Sequence, residues 1–139
     1  MADHALLLPV LALVGWTFVL WFWMYATRIP AMQRARIDMA ELSRTGAPLV
    51  LPPEIARVAD NYNHLHEQPT IFYAVALTAA LAGATDGASV VLAWIYVVLR
   101  VVHSLVQATK NPIPIRFAIF TLASVALMAL WVRTLLAIA

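Results

Sequence analysis

Arg100 stands deep inside an apolar run, and that one charge limits what the chain can become. An arginine at the centre of a membrane helix costs about 2.5–3.5 kcal/mol on insertion scales, and more by other estimates. The stretch reads Leu99-Arg100-Val101-Val102-His103-Ser104-Leu105-Val106-Gln107. Arg100, His103, Ser104 and Gln107 recur at i, i+3, i+4 and i+7, which places them on one stripe of one helix. A bilayer helix turns such a stripe toward other helices or a wet cavity. The rest of the sequence must supply what faces Arg100.

That the medium is lipid follows from composition. Of 139 residues, 63% are hydrophobic and 12% charged, against roughly 25% charged in soluble domains. A span needs roughly 20 apolar residues, so the length accommodates four spans and one sizeable loop in a single domain, 1–139. With no cysteine, a disulfide framework, a thiolate nucleophile and a Cys-based metal site are excluded. The basic residues form no tract, so a nucleic-acid partner is not expected.

The spacing predicts helices over about 5–27, 54–84, 88–109 and 114–138, with a polar loop over about 28–53. Asp3 and His4 precede the first run in place of a basic n-region, so it reads as a retained transmembrane helix rather than a signal peptide. Trp16, Trp21, Trp23 and Tyr25 suit interfacial anchoring and packing. The loop carries Arg28, Arg34, Arg36 and Arg44 and places itself in the cytoplasm, with both termini outside. A short surface-lying amphipathic helix is expected over Pro30 to Ser43. Pro52-Pro53 starts the second helix, and Pro69 is expected to kink it. Arg57, Asp60, His64 and Glu67 fall on one of its faces. Lys110 and Arg116 flank an inside turn, and Arg133 is expected to snorkel to the opposite interface. Short antiparallel connections suggest a left-handed four-helix bundle.

Two arrangements can satisfy Arg100. Glu67 is its natural partner in a buried ion pair, and an internal ion-pair network would then fix helix register. However, Arg57, Arg100 and Arg116, with Lys110 near the turn, outnumber Asp60 and Glu67. Intramembrane cation in excess invites an anionic ligand, with Asn63, His64, His103 and Gln107 adding polar groups at the same level. A proton relay through Glu67 and His103 is a further reading. His64, His66, Glu67 and His103 can ligate metals, but His64 and His66 are two apart and point to different faces, so no metal is expected. The sequence holds no serine–histidine–acid set, phosphate loop or His-Glu-x-x-His pattern.

Over its whole length the chain resembles the MAPEG family, the membrane-associated proteins of eicosanoid and glutathione metabolism. The resemblance is sharpest from Arg100-x-x-His103 through Pro114-Ile115-Arg116, and again at Glu67-Gln68-Pro69-Thr70-Ile71-Phe72-Tyr73. It implies a homotrimer of twelve helices in the membrane, here an inner (plasma) membrane of bacterial type. Glutathione would bind as co-substrate between subunits near the cytoplasmic face, and a lipophilic small molecule would enter from the bilayer. Arg116 matches the arginine credited with stabilising the glutathione thiolate, and Arg57 and Arg100 could anchor the carboxylates. The second helix departs from the pattern Arg-x-x-Arg/Leu-Asn-x-x-Glu of glutathione-using members. Asp60 stands at its first arginine, His64 at its asparagine, and only Glu67 matches; Gln107 replaces a tyrosine. Two functions therefore stand side by side. One is transfer of glutathione or a related thiol to a lipophilic electrophile or hydroperoxide, with Arg116 catalytic. The other is a non-catalytic protein that binds a lipid or quinone-like amphiphile, or serves as an accessory subunit of a larger membrane complex.

Overall fold

The computed structural model describes residues 4–139; Asp3 lies outside that part. Six helices follow one another: α1 (Leu7–Arg34), α2 (Met39–Thr45), α3 (Pro53–His64), α4 (Gln68–Leu81), α5 (Gly87–Ala108) and α6 (Ile113–Ile138). Among the described residues there is no strand. Three helices, α1, α5 and α6, are long and apolar enough to cross a membrane. They bury small and branched side chains inward, among them Leu13, Leu20, Ala93, Val97, Ala123 and Leu130, and leave Leu8, Phe22, Val98, Phe117 and Leu136 exposed on the outside. A water-soluble fold would not expose so much apolar surface.

Two departures from the expected helices have local causes. Pro30 sits inside α1, yet the helix runs on to Arg34, so the expected surface helix shrinks to the seven residues of α2. Arg36 adopts a left-handed φ of 52° between the two, and Asp38 then opens α2 by accepting from the backbone N–H of Ala40 and Glu41. This is the usual N-cap geometry.

The second departure shapes the site. The helix expected over 54–84 is not kinked but cut in two. Pro69 has no N–H, and its ring crowds the carbonyl of Leu65. α3 therefore stops at His64, closing with Leu65 N–H on the Asn61 carbonyl and His66 N–H on the Asn63 carbonyl. Pro69 falls in the first turn of α4, where a missing donor costs little. The break brings the carbonyl end of α3 to a stop against α5.

α5 packs against α6, α1 and α3, while α4 packs against α1 and α6. The far end of the α5–α6 pair is tied by Arg133, which donates to Asp86 and to Ser89 Oγ. Asp86 thus gives Arg133 a carboxylate partner near the helix end, and both side chains stay about half exposed. Ser89 donates to Asp86 Oδ1 at 2.7 Å. That hydrogen bond, reinforced by Arg133, holds the Asp86 carboxyl below its ordinary value of 3.8.

Candidate functional site

The stripe on α5 is buried as its spacing demands. Arg100 is 0% exposed, the largest fully buried side chain among the described residues, and His103, Ser104 and Gln107 are buried with it. Asn61 on α3 donates from Nδ2 to the Ser104 carbonyl at 3.2 Å and accepts from Ser104 Oγ at 3.1 Å. These two hydrogen bonds between buried residues lock α3 to α5. Directly after the break, Gln68 donates to Ser124 Oγ at 2.8 Å and accepts from Tyr96 at 3.3 Å, joining α4, α5 and α6.

Arg100 itself does not find the expected ion pair. Glu67 lies on the break and is exposed; its Oε2 accepts from His64 Nδ1 at 2.9 Å. The expected Glu67–Arg100 pair is thus absent, because the residues between α3 and α4 turn Glu67 away from α5. Arg100 instead points Nη2 at the His64 carbonyl, 3.5 Å away, which also accepts from the Glu67 N–H at 3.2 Å, and lies 5.7 Å over the Phe120 ring. A cation at the carbonyl end of a helix is favourably placed, but its Nε and Nη1 have no partner.

Beside it a cavity of about 280 Å³ is lined by His64, His103, Gln107, Ile113, Arg116, Phe117 and Phe120. The imidazoles of His64 and His103 lie 5.2 Å apart, with Phe120 against both. Arg116 is oriented by Asn111, whose Oδ1 accepts from Nη1 at 2.6 Å. Asn111 adopts a left-handed φ of 53°, a conformation asparagine tolerates better than most residues. His103 Nδ1 and Gln107 Oε1 are buried without partners, as are the two nitrogens of Arg100.

The remaining predicted residues lie elsewhere. Arg57 donates from Nη1 to the Thr109 carbonyl and so closes the end of α5. Asn63 is exposed on α3, as is Asp60. The structure therefore brings His64, His103, Gln107 and Arg116 around one cavity with Arg100 against it, and leaves Arg57, Asn63 and Glu67 off its lining. Sequence reasoning missed Phe117 and Phe120, whose only signal is their place one and four residues after Arg116. Among the described residues, no three metal-ligating side chains gather. A second cavity of about 330 Å³ opens between α4 and α6, lined by Gln68, Ile71, Ser124, Leu127, Met128 and Trp131. Phe120 of the first cavity and Ser124 of the second are one turn apart on α6.

Three helices long and apolar enough to cross a membrane, with a buried polar stripe beside a cation-bearing cavity, define an integral membrane protein. A model of the MAPEG family matches residues 6–136, nearly the whole chain, and the protein belongs to that family. Comparisons with curated proteins and with solved structures return no match.

Proposed function

We propose that the protein transfers glutathione, or a related thiol, to a lipophilic electrophile or hydroperoxide. The observation that carries this reading is the set of unpartnered buried groups beside Arg116: Arg100 Nε and Nη1, His103 Nδ1 and Gln107 Oε1. Buried polar atoms are almost always satisfied, and a ligand with oxyanions and amides is what such a set lacks. A thiol with a pKa near 8.5 becomes a better nucleophile beside a fixed cation, and Arg116, held by Asn111, is that cation. The thiolate sulfur forms a bond to the electrophilic carbon or peroxide oxygen. The displaced alkoxide, or the oxygen of an opened epoxide, takes up a proton. The apolar cavity between α4 and α6 offers the lipophilic partner a place next to the thiol.

A cavity of about 280 Å³ lies just under the usual range of about 300–1,000 Å³ for small-molecule sites. Completion by a neighbouring subunit, as in a homotrimer, fits that size. In this reading α3 and α4 together make the fourth crossing of a left-handed bundle. The loop 28–53 is cytoplasmic, the termini are outside, and the membrane is an inner (plasma) membrane.

A second reading keeps a specific observation on its side. Arg57 is engaged at Thr109, and Asp60 and Asn63 are exposed, so the second-helix anchors do not reach the cavity. A non-catalytic protein that binds an amphiphile there, or an accessory subunit of a membrane complex, needs none of them.

Isothermal titration of glutathione into the purified protein in detergent, at several salt concentrations, separates the two. Saturable binding that weakens with salt and is lost in Arg100→Ala is the expected result. No heat at millimolar glutathione would refute the glutathione reading.

A further inference from the structure

A second site lies away from the polar cavity, where α1 meets α2. α1 has 28 residues and is about 42 Å long at about 1.5 Å per residue. A hydrocarbon core is about 30 Å thick, so roughly the last two turns emerge into the headgroup layer. The arginines begin at that point. Arg28, Arg34, Arg36 and Arg44 are four of the nine basic residues of the chain, gathered within 28–44. Just before them stand Trp21 and Tyr25, 38% and 42% exposed, the amphipathic rings that favour this depth.

The acids of the same segment are already committed. Asp38 caps α2 through the N–H groups of Ala40 and Glu41, and Glu41 pairs with Arg44 at 3.8 Å. Among the described residues Arg28, Arg34 and Arg36 make no ion pair. Between α1 and α2 a cavity of about 240 Å³ is lined by Ile29, Met32, Gln33, Ile37 and Met39, so an apolar recess lies within a turn or two of three unpaired guanidinium groups.

We propose that this junction binds an anionic phospholipid, its phosphate on Arg28, Arg34 and Arg36 and its glycerol and upper acyl carbons against Ile29, Met32 and Met39. Guanidinium groups match phosphate geometry, and the recess distinguishes a lipid from a free phosphate, which has nothing to place there. The site is independent of the thiol chemistry proposed above.

The test uses the full chain in bilayer vesicles, in a background with Trp94→Phe and Trp131→Phe, so that Trp16, Trp21 and Trp23 of α1 report. Quenching by brominated phosphatidylglycerol is compared with quenching by brominated phosphatidylcholine at equal mole fraction. The expected preference for the anionic lipid is at least about fivefold in relative association, the effect of one interfacial basic residue. It should fall to near one in the Arg28→Gln/Arg34→Gln/Arg36→Gln variant. Ile37→Asp, which leaves every arginine in place and sets a carboxylate in the recess, should abolish it too, and serves if the triple variant does not fold. Equal quenching by both lipids in the parent protein, or a preference that survives both variants, overturns the proposal. Loss of the preference on adding inorganic phosphate at constant ionic strength would reassign the site to a soluble anion. Loss on raising the protein-to-lipid ratio would show that a second copy covers the junction. Either result also overturns it.

Discussion

Replacing Arg100 by methionine should make the ligand-free protein more stable. Arg100 is 0% exposed, and two of its three guanidinium nitrogens are unpartnered. An ion buried without a counter-ion costs several kcal/mol even after relaxation, and apolar replacement of buried charge is often stabilising by about 1–4 kcal/mol. Against this stand two losses. The hydrogen bond to the His64 carbonyl is at 3.5 Å, the outer limit of geometry, and a net hydrogen bond is worth about 0.5–1.5 kcal/mol. The guanidinium also lies 5.7 Å over Phe120, an attraction worth about 1–2 kcal/mol when desolvated. Methionine keeps an unbranched stem and fills irregular space well. These losses offset most of the relief from removing the buried charge, and the balance is a gain of about 1 kcal/mol, or about 3–5 °C in Tm for a chain of this size. Tryptophan fluorescence during thermal unfolding in detergent, without glutathione, measures it. The same variant should lose salt-sensitive glutathione binding. A Tm lowered by more than about 3 °C would refute the reasoning. Arg100 would then be satisfied within the folded assembly, and the stripe would serve helix register rather than a ligand.

Four further outcomes are expected. Arg116→Ala should abolish thiol transfer while the oligomer runs unchanged on size exclusion; unaltered turnover would remove the thiolate role. Glu67→Ala should cost no more than about 1 kcal/mol, since Glu67 is exposed and touches only His64, and a melting temperature lowered by 10 °C or so would restore a pairing with Arg100. Asn61→Ala should destabilise by about 1–3 kcal/mol, because it strands Ser104 Oγ and the Ser104 carbonyl in the interior; chemical denaturation in mixed micelles reads this. Asp86 has a folded pKa depressed below 3.8 by Ser89 and Arg133, so its contribution is complete above that value and is lost as pH falls through the folded pKa. The Tm difference between wild type and Asp86→Asn should therefore be constant near neutrality and shrink only in strong acid. A difference that shrinks already near pH ~6 would contradict the assignment.

The helical class, three of the four expected spans and the inward turn of the stripe are legible because each depends on residues within one helix. A 3.6-residue period and a lipid solvent leave Arg100, His103, Ser104 and Gln107 one face to hide. Pro69 was legible as a disruption for the same local reason, the missing N–H and the crowded Leu65 carbonyl. What followed from that disruption was not. Whether a proline bends a helix or cuts it depends on how the chain around it turns, and here the backbone closes on itself, with the N–H groups of Leu65, His66 and Glu67 donating to the Asn61, Asn63 and His64 carbonyls.

Hydropathy and helical spacing alone make the chain helical and suited to a bilayer, turn the polar groups of α5 inward, and set more cations than anions at their level. Which residues meet there depends on how the helices pack. Glu67 turns to His64 rather than to Arg100, and Arg57 closes α5 rather than reaching the cavity. Periodicity fixes the face on which a side chain stands. Partnership is fixed by where separate helices end and how the residues between them turn, and a three-residue break at 65–67 is enough to redirect a carboxylate from one partner to another.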